Sequence, residues 1–361
     1  MKEMFKIAGA FVGVLVGAGF ASGQEILVFF VNFGLWGLAG TLLSAAVFVF
    51  IGMALAGMGK RLQATSHKEV VYGICGPHFG KMVDGLITFF MFAVTVVMLA
   101  GAGALLDQQF GIPVLVGSAL ATILVVAIVC LDIHRVIALI GAITPLLVLT
   151  SFGVAVYAIY TREADIAAIE SLASAQVAGA QYWWLGALLY VSYNVVAGVP
   201  ILAIMGGMAS NERGAAWGGL LGGLILGSLM LILGLGLLSR LGTVAGAAMP
   251  TLLLVGEASP VLSTFVALVI LAMILNTAVG MLYSFIARFV PKGTGVFRLA
   301  SVGTGLVAFV CSLLGFVSLV GMVYPIFGYL GFFLIASIMV AWFRQRWQGV
   351  PWRETIKQGG K

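Results

Sequence analysis

Apolar stretches long enough to cross a lipid bilayer follow one another along the whole chain. A transmembrane helix needs about 20 predominantly apolar residues, and ten stretches meet that requirement. The predicted spans cover residues 5–31, 35–58, 81–107, 113–131, 136–160, 182–208, 215–239, 260–290, 298–320 and 323–343. Only 8% of the residues are charged, against about 25% in soluble domains. The sequence therefore predicts an all-α integral membrane protein embedded in the lipid bilayer.

Positive charge is distributed unevenly between the two sides of the predicted spans. An even number of spans places both termini on one side, and that side holds every lysine and arginine except Arg162 and Arg240. Because cytoplasmic loops are rich in Lys and Arg, we expect a plasma-membrane protein with both termini in the cytoplasm. This topology accounts for the net charge of +6, so no nucleic-acid partner is expected.

The sequence carries no sign of an enzyme active site or of a resident cofactor. The three cysteines lie far apart without the spacing of a metal or redox motif. No histidine falls within a predicted span, and the acids are not clustered. We therefore expect no cofactor beyond Na⁺ or H⁺ as a coupling ion. The sequence does not indicate an oligomeric state.

The first span is interrupted by glycines and carries an acid at membrane depth. Residues 17–25 read Gly-Ala-Gly-Phe-Ala-Ser-Gly-Gln-Glu. Backbone left unpaired in hydrocarbon costs several kcal/mol per group, so such a break persists only against protein, water or a ligand. We therefore predict that the break binds substrate. The residues expected to expose backbone or contact substrate are Gly17, Ala18, Gly19, Ser22 and Gly23.

A second interruption is predicted in span six, half a chain later. Pro200 lacks a backbone donor and its ring clashes with the preceding turn, and Asn194 is costly in lipid unless it meets a partner or a cavity. A proline kink packed against neighbouring helices is the alternative interpretation. The substrate-binding residues predicted here are Tyr193, Asn194 and Gly198.

The two interruptions divide the chain into similar halves. Five predicted spans occupy residues 1–165 and five occupy 182–345, with an extracellular connector at 166–181 and a basic cytoplasmic tail at 346–361. An odd number of spans gives the halves opposite orientations. Two broken helices in corresponding positions are typical of an inverted-repeat transporter whose site lies at the repeat interface.

Polar residues within the spans are candidates for ion coupling. Glu25 could carry a proton, ligate a cation, pair with a substrate amine or act as a gate; alternatively, it caps the second half of the broken helix. Asn276 and Thr277 of span eight could complete a sodium site against span-one carbonyls, or form hydrogen bonds between helices. The predicted coupling ion is therefore sodium, or a proton on Glu25.

Two of the connections between predicted spans are long enough to form local structure. Residues 60–80 are long enough for a short surface helix before a Gly-Pro turn. Residues 241–259 are too interrupted to span the membrane, so they form either a hairpin or lid over an outer vestibule or an ordinary surface loop.

Three segments resemble a known family. Val-Gly-Ala-Gly-Phe-Ala-Ser-Gly-Gln-Glu-Ile at 16–26 resembles the opening signature of the YkvI-like membrane proteins, a branch of the amino acid–polyamine–organocation superfamily with the LeuT fold. Tyr-Gly-Ile-Cys-Gly-Pro at 72–77 and Tyr-Asn-Val-Val-Ala-Gly-Val-Pro at 193–200 fit the same pattern. The resemblance covers essentially the whole chain.

The resemblance implies a specific architecture. Two inverted repeats of five spans are expected, with spans 1 and 6 broken. Spans 1, 2, 6 and 7 would rock against spans 3, 4, 8 and 9, around a central site between spans 1, 3, 6 and 8. Glu25 is a departure, because sodium-coupled relatives usually lack an acid there.

The residues and the resemblance together predict a cation-coupled secondary transporter. Its substrate would be a small polar or zwitterionic solute such as an amino acid, moved by alternating access. A membrane receptor that binds a solute without accumulating it is the alternative.

Overall fold

The computed structural model describes residues 2–64, 67–130, 143–161, 166–291 and 293–348, and every regular element in these ranges is helical. A short 3₁₀ helix at Val31–Phe33 follows α3. The helices are α1 Lys2–Leu15, α2 Ala18–Ala21, α3 Gln24–Phe29, α4 Leu35–Leu62, α5 His67–Phe110, α6 Val114–Cys130, α7 Ile143–Tyr160, α8 Ile166–Ser174, α9 Trp183–Met208, α10 Glu212–Ser239, α11 Leu241–Val244, α12 Pro250–Ala258, α13 Pro260–Ile286, α14 Gly295–Ser312 and α15 Phe316–Gln348.

Many of these helices are long and apolar enough to cross a bilayer. Seven meet that standard by length and composition among the described residues: α4, α9, α10, α13, α14 and the greater parts of α5 and α15. Exposed Leu, Val, Ile and Phe side chains are frequent on their outer faces, as expected where lipid replaces water. The chain is therefore a multi-pass α-helical membrane protein, while the count of ten spans stays a prediction.

The long helices pack as two groups. Helices α1, α4, α9 and α10, the counterparts of predicted spans 1, 2, 6 and 7, pack against one another. Helices α5, α6, α13 and α14, the counterparts of spans 3, 4, 8 and 9, form the second group. Glycines let backbones approach within the first group, where a methyl group on Gly52 or Gly219 would overlap the backbone of the other. This grouping is the one that the resemblance implies.

Several predicted boundaries shift. Helix α5 starts well before the predicted span and bends at Gly76, whose φ of 72° favours glycine, so the short helix before the Gly-Pro turn is present. Predicted span nine continues to residue 320, but α14 ends at Ser312 and Gly315, with φ 90°, starts the turn into α15. The start of span five, the repeat boundary at 165 and most of the tail at 346–361 lie outside the described residues.

The prediction that span six is broken is wrong. Helix α9 runs without interruption through Pro200. Its polar side chains find partners without unwinding: Asn194 Nδ2 donates to the carbonyl of Tyr190 one turn earlier at 2.9 Å, and Ser192 Oγ donates to the carbonyl of Gly328 on α15 at 2.7 Å. Proline costs the helix one backbone hydrogen bond, which the surrounding helices tolerate.

Candidate functional site

The first span is interrupted as predicted. Helix α1 ends at Leu15, α2 forms a single turn, and α3 begins at Gln24. Gly23 separates α2 from α3 with φ 82°, a left-handed conformation that glycine adopts without a steric penalty. The break thus places the termini of short helices inside the protein, where their unpaired backbone groups need partners.

Ser22 supplies some of those partners. Its hydroxyl donates to the carbonyl of Gly19 at 2.9 Å and accepts from the backbone N–H of Gln24 at 3.3 Å. The side chain is fully buried. Ser22 therefore stabilises the turn between α2 and α3, a role different from the substrate contact that the sequence predicts.

Glu25 joins the broken span to span six. Its Oε2 accepts a hydrogen bond of 2.8 Å from the hydroxyl of Tyr193 on α9, and only 6% of the residue is exposed. The carboxyl also lies directly against Gly19, where an added Cβ would come within 2.8 Å of the carboxyl carbon. Gly19 is therefore needed as glycine to make room for Glu25. The described hydrogen bond of the Glu25 carboxyl comes from Tyr193 and not from a backbone N–H of α3.

Aromatic rings pack around Tyr193, the hydrogen-bond partner of this carboxyl. Tyr193 stacks on Tyr324 of α15 with ring centroids 4.6 Å apart, and Tyr190 meets Tyr193 edge-on at 5.5 Å. Phe29, one turn after Glu25 on α3, packs on both Tyr190 and Tyr193. The rings of Tyr190, Tyr193 and Tyr324 are all buried. We call Glu25, Tyr190, Tyr193 and Tyr324 the Glu25 cluster.

The described residues place no positive charge beside Glu25 that would compensate its ionised carboxylate. Among the described residues no lysine or arginine forms an ion pair with Glu25. An ionised carboxylate buried without a cation costs several kcal/mol or more. The site can therefore bind a proton or a positively charged group, and either one would relieve this cost.

Gln24 is a second acceptor that sequence reasoning missed. The residue is 1% exposed, and its Oε1 has no hydrogen-bond partner among the described residues. A buried amide oxygen without a donor costs about 1–3 kcal/mol. In the sequence, only its position next to Glu25 indicates a role for Gln24, because a single amide at the start of a helix belongs to no recognisable motif.

Other predicted site residues have different surroundings. Gly17 has no heavy atom within 4 Å of the position of a Cβ, and Ala18 begins α2. Gly198 packs on α1, where a Cβ would lie 3.2 Å from Leu15 Cδ1. Asn194 is hydrogen-bonded within α9, so neither residue of span six exposes backbone to the site. Gly23 positions the turn.

The proposed sodium residues lie on a helix that contacts the break, and neither is hydrogen-bonded to Glu25. Asn276 and Thr277 are half-buried on α13, and α13 contacts α2. Neither side chain is hydrogen-bonded to Glu25, whose described partner is Tyr193. Within the described ranges, no group of three or more His, Cys, Asp or Glu side chains could hold a metal ion.

Residues 249–258 cover the break on the side away from the N-terminus. The hydroxyl of Thr251 donates to the carbonyl of Ala21 at 2.6 Å, and its N–H donates to Ser22 at 3.0 Å. Gln108 of α5 holds Met249 through both its backbone N–H and its carbonyl. We call helix α12, which also packs on α13, the lid because it closes over the break. Its position over an outer vestibule stays a prediction.

Comparison with known proteins identifies the fold. No protein-family model matches the chain. It is 28% identical over 340 residues to the uncharacterized membrane protein YkvI of Bacillus subtilis (strain 168), covering 92% of this chain and 94% of YkvI. The structure of MhsT in complex with L-phenylalanine matches with a TM-score of 0.65 at 15% identity, covering 98% of each chain. A Na⁺-coupled sialic acid symporter in its substrate-bound outward-open state matches at 0.60 and 13% identity, covering 94% of this chain and 79% of that one.

These likenesses confirm two expectations. The similarity to YkvI extends along nearly the whole chain, as the signature at 16–26 suggests. The chain has the LeuT fold, shared with proteins of very different sequence. The ten-span repeat boundaries and the roles of individual residues are not decided by these likenesses.

Proposed function

We propose that this protein is a cation-coupled secondary transporter of a small polar or zwitterionic solute, working by alternating access. The proposal is supported by the fold it shares with a Na⁺-coupled symporter. It is also supported by the packing of the helices as two groups. We further propose that both termini lie on the cytoplasmic side of the plasma membrane, as the distribution of basic residues predicts.

One observation carries the proposal: a buried carboxyl links the broken span to a helix of the same group. Glu25 accepts from Tyr193 at 2.8 Å and lies against Gly19. An ionisable group at membrane depth is by default a functional group, and Glu25 has no basic partner among the described residues. Binding or losing a positive charge at Glu25 changes its contacts with Tyr193, and these contacts join span one to span six.

Glu25 is proposed as the coupling residue. A proton on its carboxyl and a bound cation are alternative ways to neutralise it. A sodium ion could instead be held by Asn276, Thr277 and span-one carbonyls, since hard oxygen ligands suit it. The two possibilities differ in what Glu25→Gln does: it removes proton dependence, but it leaves a sodium site on α13 intact.

Transport in proteoliposomes tests the proposal. Purified protein should accumulate a solute from a broad panel of amino acids and related compounds when a sodium or a proton gradient is imposed. Collapsing the gradient with an ionophore should abolish accumulation. Glu25→Gln should remove the dependence on a proton gradient, while Tyr160→Phe, at an exposed tyrosine far from the site in sequence, serves as the control.

The result that contradicts the proposal is equally specific. If neither gradient drives accumulation of any solute in the panel, although the protein binds one of them, the chain is a receptor and the transporter proposal fails. If accumulation depends on sodium alone and is unchanged in Glu25→Gln, transport stands but Glu25 is not the coupling residue.

A further inference from the structure

We propose that the protein binds one anionic phospholipid in a groove between α5, α13 and α14, with the phosphate of the lipid held by Lys81. The groove shares no lining residue with the Glu25 cluster, so the proposed site is separate from the transport site. Two features of the lipid are recognised: an acyl chain that fills the groove, and a negative headgroup that meets positive charge at its end.

The groove has a wall on each of three helices. It is lined by Phe89 and Phe92 of α5, by Phe285 of α13, and by a stretch of α14 between Ala300 and Val307, and its volume is about 500 Å³. The rings of Phe92 and Phe285 pack with their centroids 5.4 Å apart, which joins the walls from α5 and α13. Because this lining is almost entirely apolar, it suits a hydrocarbon chain and not a polar or charged group.

The groove lies in one half of the membrane. Phe285 is in the last turn of α13, and Ala300 is in the second turn of α14. From Ala300 to Val307 the helix rises by about 10 Å, which is less than half of a hydrocarbon core about 30 Å thick. A chain from a single leaflet therefore fits the groove, and its headgroup lies beside the end of α13 and the start of α14.

Gly303 keeps the groove open. A Cβ at this exposed glycine would meet no heavy atom within 4 Å, whereas Leu299 and Leu306 on the neighbouring turns of α14 carry large side chains that are 74% and 61% exposed. Lipid tails are as apolar as the protein surface, so only closer packing can hold one chain more tightly than another. A chain in the groove has partner atoms on three helices and gains such packing.

Positive charge is concentrated at the headgroup end of the groove. Segments 67–84 and 286–298 meet there through the ion pair of Arg288 with Asp84, at 2.7 Å, and they contain five lysines and arginines against two acids. The opposite ends of the same helices contain two acids and no lysine or arginine, over residues 105–113, 256–264 and 310–316. Basic residues between helices at a membrane surface attract anionic lipid headgroups, so the charge favours an anionic lipid at the first end.

Lys81 is the residue placed to hold the phosphate. It is exposed and precedes Phe92 by about three helical turns, which puts both residues on the same face of α5. Among the described residues no acid forms an ion pair with Lys81. Its flexible stem can lie along the apolar wall while the ammonium stays at the membrane surface, where the phosphate of a lipid in the groove is located.

Lipid retention, measured by native mass spectrometry, tests the class of lipid. Delipidated full-length protein in a mild detergent is mixed with equal amounts of dioleoylphosphatidylglycerol and dioleoylphosphatidylcholine, which have the same chains but differ in headgroup charge. We expect one retained lipid per chain, with phosphatidylglycerol favoured about fivefold, the factor that one basic residue contributes beside an anionic headgroup. This preference should fall as salt is added, because exposed charges are screened.

Two pairs of variants locate the site. Lys81→Gln should bring the retention of the two lipids close to equality, whereas Lys6→Gln, at an exposed lysine on α1, should keep the preference. Gly303→Leu fills the groove and should remove the retained lipid with either headgroup. Its control is Gly321→Leu on α15, at another exposed glycine with open space around the Cβ position, which should retain the lipid.

Several results would overturn the assignment. Equal retention of the two lipids by the unmodified protein would do so without any variant, and so would a phosphatidylglycerol preference that is unchanged in Lys81→Gln. An undiminished number of retained lipids in Gly303→Leu would show that the lipid lies elsewhere. The same spectra report the oligomeric state, and a dimer that Gly303→Leu converts to a monomer would mean that a second copy of the chain, and not a lipid, covers the groove.

Discussion

Two segments half a chain apart carry similar sequence features but fold differently. Residues 16–25 form a true break, with Gly23 at φ 82°, whereas residues 192–200 continue as one helix through Pro200. In span six the polar groups bond to carbonyls that are already at hand, such as that of Tyr190. In span one, Gly19 leaves room for the Glu25 carboxyl and Gly23 supplies the left-handed turn. A proline inside an apolar helix therefore does not by itself require a break.

The first way to test this comparison is Gly19→Ala, for which we expect the largest effect. An added methyl group would overlap the Glu25 carboxyl and separate it from Tyr193. Transport should fall on the order of a hundredfold, the loss typical of an ångström-scale misplacement of a functional group. Uptake in proteoliposomes measures it.

The control for Gly19→Ala is Gly9→Ala on α1, where a Cβ meets no heavy atom within 4 Å. This variant should transport at the wild-type rate. Full transport by Gly19→Ala would mean that the Glu25 carboxyl can leave Tyr193 without loss of function. The contact between Glu25 and Tyr193 would then have no role in transport.

The second test is Pro200→Ala in span six, with an intermediate effect. If α9 is a continuous helix, alanine restores a backbone N–H for the carbonyl of residue 196 and removes the ring clash, which together are worth up to about 3 kcal/mol. The unfolding temperature in detergent should therefore rise. A fall in stability would indicate that the protein needs an interruption at Pro200. Residues 16–25 and 192–200 would then both be broken helices.

The contrast also shows what sequence could and could not predict. The positions of most spans and the break at Gly17, Gly19 and Gly23 follow from hydropathy and local backbone preference. The contact between Glu25 and Tyr193 does not, because the two residues are 168 positions apart and meet only when α3 packs on α9.

The missed residues have the same explanation. Tyr324 lies in span ten, where one more aromatic residue in an apolar helix carries no signal, yet it stacks on Tyr193. Thr251 lies in a connection between spans, and its role depends on reaching the carbonyls of Ala21 and Ser22. The unwinding predicted at Asn194 is absent because a buried amide can bond within its own helix.

The smallest expected effect belongs to Gly23→Ala, which tests the backbone of the break itself. A left-handed conformation costs an alanine about 1–2 kcal/mol, and its methyl group would also lie 3.0 Å from Thr251 Cγ2 of the lid. The unfolding temperature should fall, and Gly246→Ala, at φ 73° with open space around it, should lose only the part due to strain. Gly198→Ala in span six gains about 1 kcal/mol from helix preference, which offsets a Cβ placed 3.2 Å from Leu15 Cδ1, so its unfolding temperature should change less than that of Gly23→Ala. Equal losses at Gly23 and Gly198 would mean that both sites have the same backbone, whereas a loss at Gly23 alone shows that the interruption is confined to span one and that the lid rests on it.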